Sequence, residues 1–99
     1  DRMELSVRLL PEAQRRNERQ KLAGAWLNKL SEAEKKVEEL ELEKDELEAE
    51  LADPDLYQDQ IAWSETNKKY ERCSRHLDRW LTRWEEAQEK IDEIDRQLG

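Results

Sequence analysis

An apolar or small residue recurs at alternating steps of three and four through residues 23–51 and again through residues 63–98. A single Asp53-Pro54 lies between the two runs. In the first run Ala23, Leu30, Val37, Lys44 and Leu51 occupy heptad position a, and Trp26, Ala33, Leu40 and Leu47 occupy d. In the second, Trp63, Tyr70, Leu77, Trp84, Ile91 and Leu98 occupy a, and Thr66, Cys73, Trp80, Ala87 and Ile94 occupy d. This is the spacing of a coiled-coil seam, in which each helix turns one narrow stripe toward a partner. A disordered chain of mixed charge has no reason to hold that phase.

The interruption decides who the partner is. The residue before a proline is pushed out of helical geometry, and Pro54 has no N–H to donate to Glu50, so the first helix must end there. Asp55 and Asp59 are candidate N-caps for the next helix. Leu56, Tyr57 and Ile61 are expected to form an apolar plug over the turn. A connection of about six residues between two helices of equal length folds them back antiparallel. The expected fold is therefore all-α, a two-helix antiparallel coiled-coil hairpin that is monomeric. Its helices span 12–52 and 59–98, its turn spans 53–58, and residues 1–11 form a linker remnant. Pro11 suits the first turn of helix 1, where a missing N–H costs nothing. A spectrin-like three-helix repeat would need a second internal break, and the sequence has one.

The heptads leave the register open by seven residues. If facing residue numbers sum to 117, Ala33 faces Trp84 and Leu30 faces Ala87. If they sum to 110, Leu47 faces Trp63 and Lys44 faces Thr66. Either choice sets small residues against large ones, as close packing requires.

Composition removes whole classes of chemistry. Charged residues are 44% of the 99, and the set AVILMFWYC is 35%, so a thick globular core cannot be filled. With Gly24 and Gly99 the only glycines, no phosphate-cradling loop can be built. His76 and Cys73 are the only histidine and cysteine, and two ligands are too few for a zinc site. Cys73 reads as a small core residue, and a lone cysteine suits a reducing, cytoplasmic setting. No apolar run approaches the roughly 20 residues that cross a bilayer, so no membrane contact is expected. The chain is expected to be non-enzymatic and to bind no cofactor or metal of its own. The four tryptophans all fall on a or d and read as core, with Trp63, nearest the turn, the best candidate for an exception.

The charge is uneven. Residues 1–30 carry seven Lys or Arg against four Asp or Glu, a net of +3, and residues 31–99 carry eleven against twenty-two, a net of −11. Within the second helix the sign reverses locally. Lys68, Arg72, Arg75 and Arg79 fall at f, c, f and c, away from the seam, as one stripe about 16 Å long at helical rise, enough to track several phosphates. Arg15, Arg16 and Arg19, with Lys21 beside them, form a second basic cluster near the other end of the hairpin.

The stretch "LEAELADPDLYQD" closing the first helix, with "RWEEAQEKIDEI" late in the second, resembles the C-terminal domain of ABC-F family ATPases, the Uup-like branch in particular. In that family an antiparallel coiled-coil hairpin comes after two ATP-binding cassettes. Leu51, Asp53, Pro54, Leu56 and Tyr57 match its turn motif, and Trp84, Glu85 and Glu86 approximate its second signature. The resemblance covers about residues 14–95. It implies a tail module of a longer cytoplasmic ATPase, with ATP and Mg bound in cassettes outside this chain. It further implies nucleic acid as partner, whether DNA or the rRNA or tRNA of a ribosome. On that reading Lys68, Arg72, Arg75 and Arg79 make the contact, with Arg15, Arg16 and Arg19 in support. The alternative is a structural spacer or protein-docking coiled coil whose charges only keep it soluble.

Overall fold

The computed structural model describes residues 12–98; Pro11 and the expected linker 1–11 lie outside them. Among the described residues three helices occur in order: α1 (Glu12–Leu51), α2 (Pro54–Gln58) and α3 (Gln60–Leu98). The protein divides into two compact units, residues 33–82 and residues 12–32 with 83–98. In each, a stretch of α1 lies antiparallel to a stretch of α3, so the all-α helical hairpin demanded by the heptads is the fold adopted.

The turn belongs wholly to the 33–82 unit, and its hydrogen bonds show how the chain reverses. α1 tightens as it ends, with Asp53 N–H donating to Glu50 C=O at 3.1 Å. Pro54 cannot extend the ladder and instead opens α2, where its fixed φ suits the first position. The expected plain turn over 53–58 thus contains a helix of five residues. Asp53, extended at φ −72° and ψ 121°, caps it, and its carboxylate accepts from Asp55 N–H at 3.0 Å. The cap expected at Asp55 therefore falls at Asp53, and Asp55 only donates its amide. Asp59 serves two helices at once. Its N–H donates to Leu56 C=O at 3.0 Å to close α2, and its carboxylate accepts from Ala62 N–H at 3.1 Å to open α3.

Every buried residue of the described chain is an a or d position. Ala33, Leu47, Cys73 and Leu77 are buried in the 33–82 unit, and Ala23, Ala87, Ile91 and Leu98 in the other. The remaining a and d residues, including Lys44, Thr66 and all four tryptophans, are half-buried. Among the described residues no large side chain is fully enclosed, because two helices give each seam residue neighbours on one side only. Thr66 sits in the seam without an orphaned hydroxyl by donating to Ala62 C=O at 2.9 Å, one turn back.

Three contacts in the 33–82 unit bear on the register, and one of them decides it. Tyr70 hydroxyl donates to Glu48 carboxylate at 3.0 Å, Lys44 Nζ lies 5.8 Å from the centre of the Tyr70 ring, and Cys73 Sγ donates to Leu40 C=O at 3.4 Å. Lys44 with Tyr70 and Cys73 with Leu40 fall between the two candidate pairings and are compatible with either. Tyr70 with Glu48 separates them, and it fits the pairing in which facing numbers sum to 117, which sets Tyr70 beside Leu47. The 110 pairing would put Tyr70 opposite Leu40, eight residues or about 12 Å of rise from Glu48. Lys44 holds a polar group at a core position, a device that fixes register at some cost in stability. It reaches out over Tyr70 while its stem covers the seam.

Burial, and then the nearby Glu43 carboxylate, push the Cys73 thiol above its ordinary value, with Lys44 opposing. A raised thiol value means that the folded state favours the neutral form. Stability linked to this group is present below the usual thiol range and is lost as pH rises through it. At pH 8, alkylation of Cys73 by iodoacetamide is expected to be slower in the folded chain than in urea by more than about tenfold, since the helices must first part. Equal rates would place the thiol outside the seam.

Candidate functional site

The stripe on α3 is where seam geometry and charge meet. With Cys73 and Leu77 directed into the 33–82 unit and buried, residues at f and c must point the other way. Lys68, Arg72, Arg75 and Arg79 are all exposed. Among the described residues none of the four forms an ion pair. Their spacing of four, three and four puts them on one helical face, and the face covers about 16 Å along the axis. Asp78 lies on the same helix, as does Glu71, which takes a 3.4 Å bond from Asn67. Among the described residues none of the four is paired across the seam with the acidic stretch of α1.

The second basic cluster behaves differently. In its own unit Arg19 bonds Asp95 with both arms, Nε to Oδ1 at 2.7 Å and Nη2 to Oδ2 at 3.2 Å. That paired carboxylate raises the guanidinium's value further, first through the hydrogen bond and then through charge. Arg15 is half-buried along with Arg19, Lys21 leans toward Glu18 at 3.7 Å, and Arg16 is exposed. Of the three arginines expected to support a polyanion contact, only Arg16 stands well out into solvent. Arg19 joins α1 to α3, which is a job of holding the pair together. It was not legible in advance because Asp95 lies 76 positions away.

The expected apolar plug at the turn does not form. Tyr57 and Ile61 are 71% and 76% exposed, and only Leu56 is half-buried. A helix of one turn capped on both sides has no room to fold three apolar side chains under itself. Tyr57 instead meets Trp63 edge-to-face, with centroids 6.3 Å apart and planes at 82°. The sequence signal for this was present in the absence of any heptad phase between Ala52 and Ile61.

His76 is exposed on α3. Among the described residues no group of three or more His, Cys, Asp or Glu side chains could hold a metal ion. Among them too, no helix is long and apolar enough to cross a membrane.

Neither curated proteins nor solved structures give a match to this chain. One family model does match, that of the ABC transporter C-terminal domain, over residues 16–89. The match takes in most of α1, all of α2 with its two aspartate caps, and α3 through the cationic stripe. The chain thus belongs to the ABC transporter C-terminal domain family.

Proposed function

We propose that the chain is the nucleic-acid-contacting tail of a cytoplasmic ATPase of the ABC-F type. In this reading it is a monomeric hairpin without catalytic activity, and ATP hydrolysis belongs to cassettes elsewhere in the parent protein. Lys68, Arg72, Arg75 and Arg79 track a phosphate backbone, and Arg16 adds a further contact. The observation that carries the proposal is the stripe itself, four exposed cations on one face without ion pairs in a chain of net charge −8. Among the described residues, unpaired cations also occur elsewhere, as at Lys35 and Lys69; what sets these four apart is that they share one helical face. Rigid spacing on a helix suits polyanion binding, because the charges need no reordering on contact. The support is charge and spacing, which concern contacts to the phosphate backbone.

Binding to duplex DNA and to structured RNA, monitored by fluorescence anisotropy over 25–200 mM salt, tests the proposal. Four neutralised phosphates give a log–log slope of about −3.6 on duplex DNA. No binding of either polymer at the lowest salt would remove the proposal and leave a spacer or protein-docking hairpin.

A further inference from the structure

The turn end of the 33–82 unit differs from the stripe in both charge and polarity. Between Lys44 and Lys68 the chain has no Lys or Arg and eight carboxylates, at Asp45, Glu46, Glu48, Glu50, Asp53, Asp55, Asp59 and Glu65. In the middle of that acidic stretch Tyr57, Gln60 and Trp63 line a shallow cavity of about 340 Å³. Its two rings meet edge-to-face, and Trp63 is half-buried. Tyr57 is mostly exposed, as is Ile61 on the first turn of α3. Large exposed aromatic side chains on a chain this polar mark a contact surface.

We infer that the Tyr57–Trp63 cleft at the turn docks a basic protein segment, one that carries Arg or Lys beside an apolar side chain. Charge complementarity selects this occupant. A guanidinium or ammonium against the exposed Tyr57 ring gains from the ring quadrupole, and the surplus of carboxylates along this stretch raises the local concentration of cations. Asp53 and Asp59 each give one oxygen to a helix cap, whereas Asp55 and Glu50 are exposed carboxylates with no cap to hold. The same charge repels a phosphate backbone, so nucleic acid is confined to the cations that begin at Lys68. One unit then carries two faces of opposite preference, and its turn contacts protein while its α3 stripe contacts nucleic acid.

The test uses a fluorescein-labelled peptide alternating Arg and Leu, titrated against the whole chain by anisotropy, with a Glu–Leu peptide as control. The basic peptide is expected to bind and the acidic one not to. Tyr57→Ser removes an exposed ring that supports no core, and it is expected to weaken binding at least tenfold. Asp55→Asn combined with Glu50→Gln should weaken binding and flatten its salt dependence. Reversal of the four stripe cations should leave peptide affinity unchanged or slightly raised, so the two surfaces fail or stand independently. Failure of the basic peptide to bind would overturn the inference. So would equal affinity for Tyr57→Ser, which would reduce the interaction to diffuse charge. Competition by duplex DNA that survives reversal of the stripe would also overturn it. Concentration-dependent dimerisation that Tyr57→Ser abolishes would assign the cleft to a second copy of the chain instead.

Discussion

Replacing Lys68, Arg72, Arg75 and Arg79 together by Glu is expected to lower affinity for duplex DNA by about three and a half orders of magnitude at 0.1 M salt. With a slope near 0.9 per phosphate, each contact contributes close to eightfold at that salt concentration, and four act together. The helices should be unaffected, because the four side chains are exposed and make no ion pairs among the described residues. Circular dichroism of the variant should therefore overlay that of the parent. A charge-matched control settles whether position or total charge is responsible. Lys21, Lys29, Lys35 and Lys90 are also exposed, and changing them to Glu produces the same net charge without touching the stripe. If the control loses as much affinity as the stripe variant, the stripe is not a site. If it retains most of its affinity, the α3 face is.

The second large effect is on stability. Leu77→Ala should cost about 2–3 kcal/mol, the lower part of the range for buried leucines. The seam is thin and open at its flanks, so surrounding groups can close in partially on the space. For a chain of this size that loss lowers the melting temperature by roughly 10–20 °C. Leu42→Ala provides the comparison. Leu42 is 61% exposed and lies off the seam, so its removal should change stability by no more than about 0.5 kcal/mol. Thermal melts recorded at 222 nm would distinguish the two. Equal shifts would mean that the heptad assignment of α3 is wrong.

The contrast between these two leucines shows how much could be read directly. Heptad phase separated Leu77 from Leu42 without any knowledge of the fold, and every buried residue fell on a or d as that phase required. The same phase placed Lys68, Arg72, Arg75 and Arg79 outward, because f and c are the positions farthest from a seam. The turn was legible only in part. Asp53-Pro54 had to end α1, yet which aspartate would cap depended on whether the connection coiled into a helix of its own. Once α2 formed, the cap moved from Asp55 to Asp53, and Tyr57 and Ile61 were left facing solvent. The basic cluster near the start of α1 was read by composition alone. Composition carries no information about Asp95, which takes Arg19 out of the exposed set.

The amino-acid sequence by itself determined that two helices would form, where the first would stop, which stripe each would bury and which cations would be excluded from it. All of these come from local geometry, in which 3.6 residues per turn and the loss of one proline N–H are sufficient. Register and the fate of individual side chains were decided only by tertiary structure. A seven-residue repeat packs almost as well after a slip of seven, so apolar spacing is blind to that shift. The choice fell to a polar partner distant in sequence, Glu48 bonded to Tyr70, a contact within reach in one alignment and about 12 Å of rise away in the other.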